Sequence, residues 1–459
     1  MKCQDKTNGI NLKDIKLELK DTFLLGLPIV IAQILHSSMG FVDITMTGNF
    51  SAEVLSAVSV SVSVTIPLLI FGMMILMSTQ ALVANNFGAN LPKPDIGIIT
   101  AQAIVIAQVI GWLLYGLSRY FHLLLPWFNI APEVIQLSKS YISAYGLALP
   151  PMLTIIAINS FYLGIRITRL GVAFSVLGLV INIVGNYTLI FGNFGAPRLG
   201  AFGAGITSAL ASWGSLSGFV VYTLINKEYR DYRILRQVRY FKPKVIREIL
   251  KIGIPNGLSG VFEVSMFAIF TLLIGNFGTN TLAGSQIALN FASITYMIPL
   301  GLSYAVTTRV GINLGKKQFN QARFSAFCGI LLCFMVMICS AGIMFTFPSF
   351  IADIYSNDPE VISIAASFLF FAGVFQISDG LQAAAMGALR GYKDTKWPMI
   401  INLISYWCIG MNLGYHLGFR YKYGAEGLWV GLITGLSVAG IMHLWRLVRI
   451  GNRVPEDIH

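Results

Sequence analysis

Three carboxylates stand where water should be scarce: Asp43 in "MGFVDITMTG", Glu263 in "GVFEVSMF" and Asp379 in "QISDGLQAAA". The rest of the 20 acidic residues fall in polar stretches or at the ends of apolar runs. A carboxylate at the centre of a membrane helix opposes insertion by roughly 2.5–3.5 kcal/mol, so three together cost about 8–10 kcal/mol if uncompensated. Such a term is tolerated when the side chains face a polar cavity, one another or a bound cation. Apolar surroundings disfavour the charged form, and a nearby cation restores it. A group in this position can therefore exchange a proton, a metal ion and an organic cation against one another, which is the chemistry an antiporter needs.

The elements that position these acids follow from composition. The chain has 459 residues, 55% hydrophobic and 11% charged, with a mean hydropathy of +0.71, too little polar surface for a soluble protein of this length. An all-α integral membrane protein is implied. About 20 apolar residues span a bilayer as a helix. Twelve runs qualify, at 23–48, 54–84, 96–117, 136–158, 171–192, 203–225, 252–275, 283–308, 324–348, 362–386, 398–418 and 426–448. They leave no room for an enzyme-sized soluble domain. The sequence shows no P-loop, nucleophile elbow or metal-ligand cluster, so no ATP-driven pump, hydrolase or other enzyme is expected.

The net charge of +12 does not point to nucleic acid, because the basic residues lie between apolar runs without an interleaved aromatic patch. Placing the N-terminus in the cytoplasm leaves only Arg119, Lys139, Arg198, Arg420 and Lys422 of the 32 Lys and Arg outside. The positive-inside rule then puts both termini in the cytoplasm. No Lys or Arg partner for the three acids lies in the interiors of these runs. The stretch from Asn226 to Lys251 holds nine basic residues and reads as an orientation signal lying on anionic headgroups. Membrane lipids are thus expected partners. Cys3, Cys328, Cys333, Cys339 and Cys408 show no paired spacing and read as small helix-packing residues. The first twenty-two residues lack the apolar core and cleavage site of a removable signal.

The two halves repeat. "GLPIVIAQ" at Gly26 matches "GIPNGLSG" at Gly253, "GNF" at Gly48 matches "GNF" at Gly275, and "NFG" at Asn86 matches "NLG" at Asn313, always 227 residues apart. Gly164 and Gly391, and Thr168 and Thr395, keep the same offset. A duplicated six-helix unit with an even helix count enters the membrane twice in one direction, so its pseudo-twofold axis runs along the membrane normal. The expected organisation is a cytoplasmic tail (1–22), a six-helix lobe (23–225), a basic cytoplasmic linker (226–251), a second six-helix lobe (252–448) and a cytoplasmic tail (449–459). The acids are not copies of one another: the repeat partner of Glu263 is His36, that of Asp379 is Met152 and that of Asp43 is Phe270. The lobes should therefore do different jobs.

"MGFVDITMTG", "FEVSMF", "SQIALNFASITYMIPLG" and "DGLQAAAMGALRGYKDTKWP" resemble the signatures of multidrug and toxic compound extrusion (MATE) transporters, specifically the bacterial NorM-type branch, over about Leu17 to Arg449. The resemblance implies two six-helix bundles forming a V-shaped cavity and export of bulky, mostly cationic, amphipathic compounds in exchange for Na⁺ or H⁺. By position, Glu263 and Asp379 match the cation-site acids of the second lobe and Tyr296 a tyrosine associated with that site. Asp43 matches the first-helix aspartate implicated in proton or substrate binding, and Asn182 and Asn186 match asparagines grouped near it. Where the proton-coupled DinF-type branch carries an extra fifth-helix aspartate, this chain has Asn182 and Asn186, which leans the assignment toward Na⁺ while Asp43 leaves H⁺ open. Leu170 stands where a proline is expected before the fifth helix, so the fourth loop should bend differently.

Phe41, Gln286 and Asn290 are further candidates for cavity-lining positions, with Met39 and Met46 as an adaptable apolar wall. Pro28, Pro67, Pro255 and Pro299 interrupt helices where a kink could act as a hinge. The reading is a secondary active exporter working as a monomer by alternating access, with Na⁺ or H⁺ as coupling ion and no cofactor. A flippase for a lipid-linked precursor and a passive channel are the alternatives. The first should line its cavity with cations for a phosphate headgroup, and this chain places acids there.

Overall fold

Backbone polar groups have no water to bind inside a bilayer, so an apolar run must satisfy them within its own helix. The computed structural model describes residues 12–123, 125–128 and 130–452, and among them there is no strand. Helices α1 (Leu12–Phe50), α2 (Ala52–Gly88), α3 (Lys93–Ser118), α4 (Pro132–Gly164), α5 (Arg169–Leu189) and α6 (Ala201–Ile225) make the first lobe. Helices α7 (Pro243–Ile274), α8 (Thr279–Gly315), α9 (Phe319–Thr346), α10 (Pro359–Gly391), α11 (396–420) and α12 (Gly424–Asn452) make the second. The first lobe packs around Leu76, Leu149, Leu153 and Phe161. The second packs around Trp429, whose ring meets Phe270 at 5.3 Å and Phe368 at 5.7 Å.

Helix ends differ from the apolar limits. α1 begins at Leu12, inside the segment expected as a tail, and α7 begins at Pro243, inside the expected linker. Lys, Glu and Leu are strong helix formers, so the helix continues into polar sequence that the hydropathy pattern excludes. Among the described residues, eleven helices have the length and hydropathy of a single span. The remaining span, α11, is not the regular helix expected at 398–418: it is α-helical over Lys396–Asn402 and Asn412–Tyr415 and π-wound over Leu403–Met411 and His416–Arg420. Here the backbones of α11 and α12 touch, because a Cβ on Gly410 would lie 2.9 Å from the Gly435 Cα. Small residues facing one another permit that approach.

The sequence repeat is also a repeat of contacts. Gly26 packs on Leu302 and its partner Gly253 packs on Ile75; Gly88 packs on Ile312 and its partner Gly315 packs on Asn85. In each case both residues of the second contact are the 227-residue images of the first, as a two-fold relation between lobes requires. The backbone follows suit, since the left-handed residues Asn90 (φ 54) and Lys317 (φ 58) are partners, as are Arg166 (φ 69) and Lys393 (φ 60). The turn at Arg166 makes the α4–α5 connection, and Leu170 lies in the first turn of α5. The connection thus turns as its repeat partner does.

Every side-chain hydrogen bond between the lobes, among the described residues, falls at the end of the bundle where α1 and α7 start and α2 and α8 finish. Gln80 donates to the Tyr304 carbonyl and to Thr308 Oγ1, both at 2.8 Å. Asn256 donates to the Met74 carbonyl at 2.6 Å. Thr308 donates to the Leu163 carbonyl at 3.0 Å. This end is closed. Gly88→Leu and Gly315→Leu should each destabilise the closed arrangement by about 1–3 kcal/mol, since overpacking here meets backbone that cannot move aside. Thermal unfolding of the purified chain should show two similar losses, and the two-fold reading fails if only one variant is affected.

Cys328 and Cys333 are buried, as expected of packing residues, whereas Cys339 and Cys408 lie on exposed faces. Cys3 and the extreme tails, 1–11 and 453–459, lie outside the described residues.

Candidate cation and substrate sites

Asp43 sits on α1 where α5 and α6 come closest. A Cβ on Gly178 of α5 would be 2.7 Å from both the Met39 Cε of α1 and the Ser215 Oγ of α6, so the three helices pack side by side here. Asn182 and Asn186, one turn apart and buried, both donate to Asp43 Oδ1, at 2.9 and 2.6 Å. Ser208 of α6 donates to Oδ2 at 3.4 Å. Three donors aimed at one carboxylate offset the loss of water around its charge. Tyr141 and Tyr145, stacked at 5.2 Å, lie within electrostatic reach of Asp43. Thr47 Oγ1 donates to the Asp43 carbonyl at 2.6 Å. The structure brings Asp43, Asn182 and Asn186 together and adds Ser208. Only the small-residue character of "ITSALASWGS" pointed to α6 as a close-packed neighbour.

The second lobe holds a different arrangement. Glu263 on α7 and Asp379 on α10 are within Coulombic reach of each other, and Tyr296 on α8 and Tyr406 on α11 feel both. Asp379 is 4% exposed and its Oδ1 has no partner. Gln376, Asp379 and Gln382 recur every three residues along α10 and so share a face. Gln376 spends its amide on the Ala292 carbonyl at 2.8 Å and on Thr295 at 2.6 Å. Gln382 donates to the Tyr406 hydroxyl. Asn402 of α11 donates to Ser259 at 2.7 Å. In all three the amide oxygen is left without a partner. Buried acceptors are nearly always satisfied. The orphaned Asp379 oxygen, within Coulombic reach of a second carboxylate, therefore suits an added hydrogen-bond donor or a hard cation.

Two cationic side chains lie beyond the limits of the apolar runs but still within helices, near their ends. The apolar pattern ends the tenth helix at 386, but α10 runs to Gly391 and buries Arg390 at 6% exposure. The Arg390 Nη2 donates to Ser303 Oγ at 3.0 Å, and its guanidinium lies 5.2 Å over the Tyr304 ring. Arg309 of α8 is likewise within a helix, paired with Glu18 at Nε–Oε1 2.7 Å and with Asp21 at 3.5 Å. The signal for Arg390 lay in "AAAMGALRG", whose alanines continue the helix although they add little hydropathy.

The proposed lining residues are spread more widely. Phe41 is 71% exposed on the open half of α1. Gln286 and Asn290 are exposed on α8, where Gln286 donates to Thr271 at 3.2 Å and Asn290 accepts from Tyr355 at 3.1 Å.

Comparison with known proteins fits this architecture. The MatE family model matches residues 28–188 and again 255–416, two stretches whose starts are 227 residues apart. The multidrug resistance protein PmpM of Pseudomonas aeruginosa is 38% identical over 447 residues, covering 96% of this chain and 93% of its own. The multidrug resistance protein NorM of Photobacterium profundum is 32% identical, over 95% of this chain and 96% of its own. The probable multidrug resistance protein NorM of Bacillus subtilis is 34% identical, over 96% and 98%. Among solved structures, the eukaryotic MATE transporter AtDTX14 superposes with a TM-score of 0.86 at 22% identity, over 95% of this chain and 96% of its own. An outward-facing MATE family transporter superposes with a TM-score of 0.83 at 18% identity, over 94% and 96%. Both share the fold.

Proposed function

Because the chain belongs to the MatE family as a NorM-type transporter, we propose that it is a secondary active multidrug exporter. It moves organic, mostly cationic, amphipathic compounds outward across the inner membrane in exchange for Na⁺, acting as a monomer. The observation that carries the choice of ion is the buried Asp379, one of whose carboxylate oxygens has no partner, within Coulombic reach of Glu263. Carboxylate oxygens of this kind suit a hard cation.

With both termini and the basic linker in the cytoplasm, the closed end of the bundle is the cytoplasmic one, and the state described here faces outward. Na⁺ enters from outside and binds at Glu263 and Asp379, near Tyr296. Drug sits against the first lobe around Asp43, held between Asn182, Asn186 and Ser208. Ion binding drives export only by favouring one arrangement of the lobes over the other, so coupling is a difference in affinity between the two states. Phe41, Gln286 and Asn290 line the open side.

The experiment is ethidium movement into inverted vesicles whose lumen is loaded with Na⁺, compared with an imposed pH gradient. A lumenal Na⁺ load should drive ethidium inward, and a pH gradient alone should drive less. Movement with the pH gradient alone that equals or exceeds that with the Na⁺ load replaces Na⁺ by H⁺. Absence of gradient-driven movement over a panel of organic cations overturns the antiporter and favours the lipid-precursor flippase.

A further inference from the structure

Arg390 is cationic at any physiological pH, because a guanidinium is not deprotonated in proteins. A charge buried to 6% exposure needs an opposite charge nearby, and among the described residues no carboxylate lies within ion-pair distance of it. The side chain is held instead by Ser303 Oγ at 3.0 Å and the face of Tyr304 at 5.2 Å, and its Nε has no partner. The acid within its Coulombic reach is Glu263. Asp379 lies eleven residues earlier on the same helix, about 16 Å along the axis, and feels Glu263 instead.

We propose that Arg390 is a fixed counter-cation that sets the charge of the ion site to one. Two carboxylates and one guanidinium leave a net charge of minus one, which a single monovalent cation neutralises. A divalent cation would leave the buried site positive, and an empty site is left with one uncompensated charge, the condition under which the ion must be rebound or the lobes rearranged. Tyr304 and Ser303 hold the guanidinium on the cytoplasmic side of the acids, so it acts as a positioning residue for selectivity and does not compete as a ligand. This inference rests on Glu263 and Asp379 being the cation site.

The test is direct binding of Na⁺ and of Ca²⁺ to the purified full-length chain in nanodiscs, without any transport readout. The wild type should bind Na⁺ and exclude Ca²⁺. Arg390→Gln, with the site at minus two, should bind Na⁺ about ten-fold or more tightly and should gain Ca²⁺ binding. Arg390→Lys should keep the wild-type preference. Glu263→Gln combined with Arg390→Gln returns the net charge to minus one and should lose Ca²⁺ again, which keeps the test open if one variant fails to fold. Unchanged Na⁺ affinity and continued exclusion of Ca²⁺ in Arg390→Gln overturn the proposal while leaving the cation site intact. Absence of Na⁺ binding to the wild type overturns the site itself.

Discussion

Asp379→Asn should reduce Na⁺-driven ethidium movement to the level of vesicles without the protein. The substitution keeps the shape of the side chain and removes one unit of charge. Beside Glu263 and the buried Arg390, that leaves the second lobe with no net negative charge to hold a cation. A loss of the full coupling is expected, in contrast to the partial loss that follows from removing one neutral oxygen. Stability should move the other way. The carboxylate is 4% exposed with an unpartnered oxygen, and a buried group without partners costs folding free energy. The thermal midpoint of Asp379→Asn should therefore equal or exceed that of the wild type. A variant that melts normally and still moves ethidium under a Na⁺ gradient would falsify the assignment of this acid to the ion site.

Breaking the Glu18–Arg309 pair should release the closed end. The pair joins α1 of one lobe to α8 of the other, with side chains only 14% and 12% exposed, and Asp21 adds a second carboxylate at 3.5 Å. It lies at the same end as the Gln80 bonds to Tyr304 and Thr308, which also link the lobes. The pair must separate for the lobes to part here. Removing one partner of a buried pair costs about 3–5 kcal/mol because the other charge is stranded. In the opposite state that charge reaches water, so the cost falls on the closed state alone. Arg309→Gln, which leaves Glu18 without its cation, should shift the equilibrium about a hundred-fold or more toward opening at this end, and Glu18→Gln, which leaves Arg309 paired with Asp21, should shift it less. Cysteines introduced as Ala89→Cys and Lys316→Cys, at the ends of α2 and α8, should cross-link readily in the parent. They should cross-link poorly in Arg309→Gln, with a smaller loss in Glu18→Gln. The exchange Glu18→Arg with Arg309→Glu should restore cross-linking. Unchanged cross-linking in both single variants shows that the pair does not govern this equilibrium.

The helical class, the count of twelve runs, the 227-residue repeat and the three stranded acids are all readable from local composition and spacing. Each is a property of a short window or of one window compared with another. Asp43, Asn182 and Asn186 could be named before any geometry was known, through a family resemblance. Their hydrogen bonds at 2.9 and 2.6 Å depend on how α5 packs against α1. Arg390 was placed in a loop because alanine and glycine carry little hydropathy, although they extend α10 by more than a turn. Glu18 and Arg309 are 291 residues apart, and their pairing follows from how the two lobes close. The glycines of α11 and α12 were visible, but their close approach and the π winding of α11 were not.

Hydropathy and helix period act within a segment, so the amino-acid order settles which segments cross the membrane and which acids they carry. Charge compensation acts between segments, over a few ångströms set by the packing of helices far apart in the chain. Only the folded arrangement could place Arg390 beside Glu263, leave Asp379 without a partner and close one end of the bundle on the Glu18–Arg309 pair.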